Sequence, residues 1–328
     1  MAKSPAHKIG QLIGHMLEEI FEPLLREVST KTDTYLDKTN IDRPSRTSKT
    51  LMHIDDQGNN HGLDFVYERF GDDNNEGLPI GFIECAWRRY TKHSKNKVQE
   101  IHSAIESLAM KHKSYSPFKG AILSGHYSEP SLQQLKSQGY TIIHIPYETV
   151  IEAYEYAGFD IAYDSETVLE DLLYKGISID GLSETDINKI RSYIFKACHI
   201  GIYDFIHTLI GSLTKQIELI NITPVIEQSY NFTEPLETLK WLTSSNNIHN
   251  RSINLIDLEI TYSNKSKTRY ERIETDSAKE RIAFHQRLSE FKIEDRKVLI
   301  KSLDNLKQDT QIKINRSGKK VGQLSFSL

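Results

Sequence analysis

Cysteine is nearly missing from this chain: Cys85 and Cys198 are the only 2 among 328 residues. That argues against a disulfide framework and against a zinc site built on thiolates. Long apolar runs are missing too. No stretch approaches the ~18 residues of a membrane span. The opening MAKSPAHKIGQ leads into an amphipathic pattern, not the uniform apolar block of a signal peptide. The expectation is a cytoplasmic protein without a membrane partner. Nor does one sign of charge dominate. The 41 Lys and Arg stand against 45 Asp and Glu, for a net charge of −4. That balance disfavours a chain that coats nucleic acid with its whole surface, yet leaves room for a local basic groove. There is no Gly-rich phosphate loop, no G-x-S-x-G and no H-E-x-x-H, and GSLTK at 211–215 lacks P-loop spacing. Repeats and low-complexity tracts are absent as well.

What remains, at 38% hydrophobic and 26% charged residues, is a globular chain long enough for one large domain or two ordinary ones. Residues 8–28 carry Ile9, Leu12, Ile13, Met16, Leu17, Ile20, Phe21, Leu24 and Val28 at 3–4 spacing, which predicts a helix. Pro23 should kink it or start a second one. The polar stretch 29–50 reads as a loop. Residues 51–54 and 63–70 read as a hairpin across DDQGNN, and 80–88 as a third strand. A helix over 94–112, a strand over 120–126, a helix over 128–138, a strand over 141–147 and a helix over 148–157 follow. This order predicts an α/β fold, a mixed sheet flanked by helices with its last strands parallel. Beyond residue 178 the pattern turns mainly helical (184–221, 275–307). A strand is expected at 253–263 and a terminal hairpin after residue 310. The division expected is 1–178 as the core and 179–328 as an added region, mainly helical with a few strands.

The stretch from His61 to Gln99 carries the chemistry. Asp64 lies in the apolar run LDFV and Glu84 in the apolar run FIECA. A segment with Arg88, Arg89, Lys92, Lys95 and Lys97, and no acid between Trp87 and Val98, follows at once. Acids inside strands are costly unless something pairs with them. Alternation puts Asp64 on one face with Val66, and Glu84 on one face with Phe82, Ala86 and Arg88. If the two strands are neighbours, the carboxylates converge and can share a divalent cation such as Mg²⁺, which takes oxygen ligands. The plain alternatives are acids at a solvent edge and a solvated basic helix face.

This arrangement over roughly residues 9–157 resembles the PD-(D/E)xK nuclease superfamily, which includes most type II restriction endonucleases. The resemblance rests on Asp64, Glu84 and the helix–hairpin–strand–helix–strand order. It implies a restriction-endonuclease-like core and a Mg²⁺-dependent endonuclease that hydrolyses phosphodiester bonds in double-stranded DNA. It also implies a homodimer, with residues 179–328 serving recognition or dimerisation. Asp64 and Glu84 would hold the metal. The family usually has Lys two positions after the second acid, where this chain has Ala86. Members are known in which that lysine sits on the following helix. Lys95 is the first choice here, with Lys97 second and Arg88 third. Lys95, Gln99, His102 and Glu106 share one border of that helix, and Gln99 would support the site. A Gly-x-x-x-Glu pattern in the first helix, Gly14 to Glu18, would add an acid, although a helical wheel sets Glu19 slightly nearer the apolar face. Arg88, Arg89, Lys92, Lys97, Lys265 and Lys267 are the candidate DNA contacts. Arg316, Lys319 and Lys320 form a further basic group. A repair, junction or nicking nuclease, or a degenerate nuclease core that binds without cutting, are the other readings. Ala86 favours the last.

Overall fold

Ser4 and Pro5 open the first helix, α1 (Pro5–Lys31). The Ser4 hydroxyl accepts from the His7 amide at 3.2 Å, and Pro5 occupies a position where no N–H is needed. No second helix starts at Pro23, and α1 runs on as one helix. Proline removes the amide that would have bonded the Glu19 carbonyl. Arg191 takes its place, donating to the carbonyls of Glu19 (3.0 Å) and Ile20 (2.9 Å). The computed structural model describes residues 4–91, 94–224, 228–244 and 255–291.

The central sheet has five strands: β1 (Tyr35–Lys38), β4 (Phe65–Arg69), β5 (Leu78–Arg88), β6 (Phe118–Gly125) and β7 (Thr141–Ile145). Their order is β1-β4-β5-β6-β7. The first three run antiparallel to their neighbours, and β5, β6 and β7 run parallel. The chain is thus α/β with a mixed sheet flanked by helices. Two strand expectations need correction. Residues 35–38 form the edge strand β1 inside the stretch read as a loop. Among the described residues, the run at 51–54 meets the run at 63–70 through one bond alone, from the Leu63 amide to the Leu51 carbonyl at 3.0 Å. Instead β2 (Met52–Ile54) pairs with β3 (Asn60–Gly62), while β4 pairs with β1 and β5. The reason is local: Asp55 ties its own turn, accepting from the amides of Gln57 and Asn59 at 2.9 Å each, which closes the small hairpin early.

Helix α2 (Ser94–Lys111) links β5 to β6, α3 (Glu129–Ser137) links β6 to β7, and α4 (Tyr147–Ala157) follows β7. Apolar side chains fill both faces of the sheet. Phe82, Ala86, Val98, Ile101, Ile105, Leu108 and Leu123 pack on the α2 and α3 side. On the other side Ile83, Trp87 and Ile122 meet α1, α4, and three later helices, α5 (Leu169–Asp180), α6 (Glu184–Ala197) and α7 (His199–Leu213). One core therefore extends from Ile9 to Leu213. Leu169, Leu173 and Ile177, one turn apart on α5, stay exposed.

A second sheet follows, in a stretch read as helical up to residue 221. Strands β8 (Ile217–Pro224), β9 (Tyr230–Phe232), β10 (Leu255–Tyr262) and β11 (Lys267–Glu274) are antiparallel in the order β11-β10-β8-β9. Ile256, Leu258, Ile260 and Tyr262 alternate inward. They build a separate core with residues of α8 (Pro235–Thr243) and α9 (Thr275–Leu288). At the junction, half-buried Lys215 donates to the carbonyls of Tyr115 and Ser116, and desolvation pulls its pKa down to about 7. The helix expected over 275–307 ends at Leu288, capped at Ser289; residues 292–307, and the hairpin expected after 310, lie outside the described residues. Among those described, no helix is long and apolar enough to cross a membrane.

Candidate active site

Register brings the two strand acids together. Phe65 pairs with Ile83 in the antiparallel β4–β5 ladder, so one step further Asp64 stands opposite Glu84. Directly opposed residues point to the same side of a sheet. The entry of the chain into β4 is pinned from both sides. The Asp64 carbonyl accepts from the Thr39 amide at 3.0 Å, and its Oδ2 accepts from the Cys85 amide at 2.7 Å. The two carboxyl groups lie close enough to act on each other's charge. Two bare carboxylates so placed repel, which favours a proton or a cation between them.

Glu18 of α1 is the third acid of the group. It is buried at 7% exposure, whereas Glu19 is exposed. Gly14, one turn earlier, has nothing within 4 Å of where a Cβ would stand, so that face of α1 borders open space. His15 Nδ1 lies 3.4 Å from Glu18 Oε1. Burial, then the Asp64 charge, push Glu18 up to about 8. Burial and the Asp64 charge likewise raise Glu84 well above the usual carboxylate range. Burial raises Asp64, against the pull of the Cys85 amide and Lys97. The half-buried Cys85 thiol, near all three acids, is raised well above its ordinary value by desolvation and their charges.

The cation that acts most on both Asp64 and Glu84 is Lys97. It follows the buried Ser94 by three residues and precedes the buried Ile101 by four, so it rides the border of α2 that meets the sheet. Lys95 and Gln99 are placed differently: both are exposed. Glu106, on the same border as Lys95, is held by Lys119 at 2.7 Å. Lys38, in the unexpected strand β1, also lowers Glu18, though its Nζ is bonded to Glu22 at 2.6 Å. Sequence reasoning had no handle on Lys38, because a strand of 4 residues in a polar stretch leaves no periodicity to detect.

Arg88 and Arg89 end β5 beside this group and, with Lys97, line a cavity of about 400 Å³. Lys265, in the turn between β10 and β11, and Lys267, on β11, are paired with Glu218 at 2.7 Å and Glu259 at 2.8 Å. Lys92, Arg316, Lys319 and Lys320 fall outside the described residues.

The donor set suits a hard cation. The acids offer oxygens only, and the one nearby sulfur is protonated. Among the described residues, no group of three or more His, Cys, Asp or Glu side chains is set to hold a metal ion. Mg²⁺ does not require such a group, since it is commonly bound by one or two carboxylates and keeps water and substrate phosphate as its other ligands. Asp64 and Glu84 fit that mode.

Comparison with protein-family models, with curated proteins and with solved structures finds no match to this chain.

Proposed function

We propose that this chain is a Mg²⁺-dependent endonuclease that hydrolyses phosphodiester bonds in double-stranded DNA, working as type II restriction enzymes do. The observation that carries the proposal is the facing pair of half-buried Asp64 and buried Glu84, beside buried Glu18 and without a cation bonded to either strand acid among the described residues. Three acids held close against their own repulsion cost stability, and a site that keeps them needs a cationic ligand to offset that cost. The order of α1, the β1-β4-β5 meander, α2 and β6 around them supports the likeness to PD-(D/E)xK nucleases.

Within that proposal each residue has a task. Asp64 and Glu84 hold the metal, which would polarise the phosphate and acidify a bound water. Lys97, in place of the motif lysine absent at Ala86, sets a positive charge beside the phosphate and orients the attacking water. Glu18 takes up a proton near the acids. Arg88 and Arg89 hold the flanking strand by its phosphates, contacts that position DNA without reading its sequence. A homodimer belongs to the same proposal, because symmetric DNA sites call for two active sites. Its test is the molecular mass in solution.

Supercoiled plasmid incubated with the protein and Mg²⁺ tests the activity. Discrete linear fragments that vanish in Glu84→Ala support the proposal. Cleavage that survives both Asp64→Ala and Glu84→Ala removes these acids from the mechanism. Ala86 favours one second reading, a nuclease core that binds DNA without cutting. Intact plasmid together with retained DNA binding would select it.

A further inference from the structure

The cavity beside the acids has a character of its own. Its walls come from His7, Gly10, Gln11 and Gly14 of α1, from the end of β5 at Cys85–Tyr90, from Lys97 and from Tyr163. Three of these residues carry cationic side chains and none is acidic. At about 400 Å³ it lies near the lower end of ligand pockets, roughly 300–1,000 Å³. That is room for one nucleotide and far too little for a duplex.

Donors in its walls lack acceptors. Trp87 is 6% exposed, and its buried Nε1 has no partner among the described residues; the buried Nε atoms of Arg88 and Arg89 have none either. Buried donors are nearly always satisfied, so three around one cavity call for an acceptor-rich occupant. The indole edge borders the cavity wall: a Cβ at Gly10 would stand 3.8 Å from Trp87 Nε1. The Arg89 guanidinium is held rigidly, 4.5 Å from the Tyr147 ring and 5.1 Å from those of Tyr90 and Tyr163, and it also donates to the Tyr163 carbonyl. Arg88 donates to the Trp87 carbonyl at 3.0 Å. Glu100 stands 3.6 Å from both Arg88 and Lys97, but it is 61% exposed and screened by water. A tight backbone turn fixes the floor. The carbonyl of Arg88 accepts from the His126 amide at 2.8 Å, and a Cβ at Gly125, where φ is +95°, would strike that same carbonyl.

We propose that this cavity binds one nucleotide of the DNA strand, drawn out of the base stack, with its phosphate on Arg88, Arg89 and Lys97 and its nucleoside against Trp87, Tyr90 and Tyr163. The occupant combines an anion, which the guanidinium groups grip, with a flat ring, which the aromatic walls accept whatever the base. It rests on the nuclease proposal only for the choice of DNA as the source of the nucleotide. An internal nucleotide and a strand end present the same chemistry.

Binding is read by fluorescence anisotropy with a 3′-labelled thymidine tetranucleotide in EDTA, so that no cleavage intervenes. Wild-type protein binds it. Arg89→Met weakens binding by about tenfold or more. So does Gly14→Leu, which fills the cavity from a position where a side chain meets no neighbour. Alanine-like residues also suit a helix interior better than glycine, so this variant keeps its fold. A tetranucleotide with a 5′-phosphate that binds much tighter than its 5′-hydroxyl counterpart assigns the pocket to strand ends, and equal binding assigns it to internal nucleotides. Unchanged affinity in both Arg89→Met and Gly14→Leu, with folding verified by circular dichroism, overturns the proposal. Its failure is separable from that of the nuclease proposal, since Glu84→Gln leaves the cavity walls intact and should still bind the tetranucleotide.

Discussion

Two clusters of buried charge share the meander of β1, β4 and β5, and they are built in opposite ways. In one, Arg43 is wholly buried, bonded to Asp37 at 2.7 Å and to Glu68 at 2.8 and 2.9 Å. It also donates to the carbonyls of Asp72 and Asn75, and Arg46 adds a second cation on Asp37. Every charge there meets its opposite. In the other, Asp64 stands just before the strand that carries Glu68. It faces Glu84 and lies near Glu18, and among the described residues its carboxylate bonds a backbone amide and no cation. Burial by itself is affordable for an acid. Burial without a partner is what costs, and a fold keeps such a group only where something else completes it. The first cluster is structural and the second is where a ligand is expected.

The contrast can be broken most forcefully at Glu84. Glu84→Ala should lower Mg²⁺-dependent plasmid cleavage by about a thousandfold or more, read as initial rates. A loss under tenfold would put the acids outside the chemistry. Next is Arg43→Met, which strands Glu68 and leaves Asp37 with Arg46 alone. Unfolding free energy should fall by about 3–5 kcal/mol, measured by denaturant titration. A neutral result would mean that the network is not the keystone its geometry suggests.

Lys97→Met should cost about a hundredfold in cleavage, whereas the exposed Lys95→Met should stay within about twofold of wild type. The reverse order would return the role to Lys95. The smallest effect is on stability and has the opposite sign to that at Arg43. Glu18 titrates at about 8 in the folded protein against an ordinary 4.5. Between those values the native state holds the extra proton, so its stability falls as pH rises through that window. Without metal, Glu18→Gln should raise stability at pH 8.5 by something on the order of 2 kcal/mol and change little at pH 4.5. Melting curves at the two pH values check it, and a destabilised variant at pH 8.5 would refute it.

Much of this comparison was legible in the sequence. Asp64 and Glu84 stood out because acids interrupt apolar runs of strand type, and the register needed to join them followed from two strands close in the chain. Glu18 came from the Gly14 pattern, although the wheel leaned toward Glu19. The Arg43 cluster stayed invisible. Its members are drawn from a loop, a strand of 4 residues, β4 and a turn, and no periodicity links such parts. Lys97 was ranked below Lys95 because two borders of one helix look alike in a wheel, and only packing against β5 tells them apart. The second sheet was partly hidden because β8, in a stretch read as helical, holds Ile217, Leu219, Asn221 and Thr223 beside Ile220 and Ile222, a run without clean alternation.

The central claim is that Asp64 and Glu84 await a divalent cation, and the melting temperature with and without Mn²⁺ at pH 8 tests it most directly. Wild-type protein should melt several degrees higher with the metal, since saturation at a hundredfold above Kd adds about 2.7 kcal/mol. The double variant Asp64→Asn, Glu84→Gln should start from a higher melting temperature and gain nothing from the metal. A wild-type protein indifferent to Mn²⁺, or a double variant that responds as strongly as wild type, would contradict the claim.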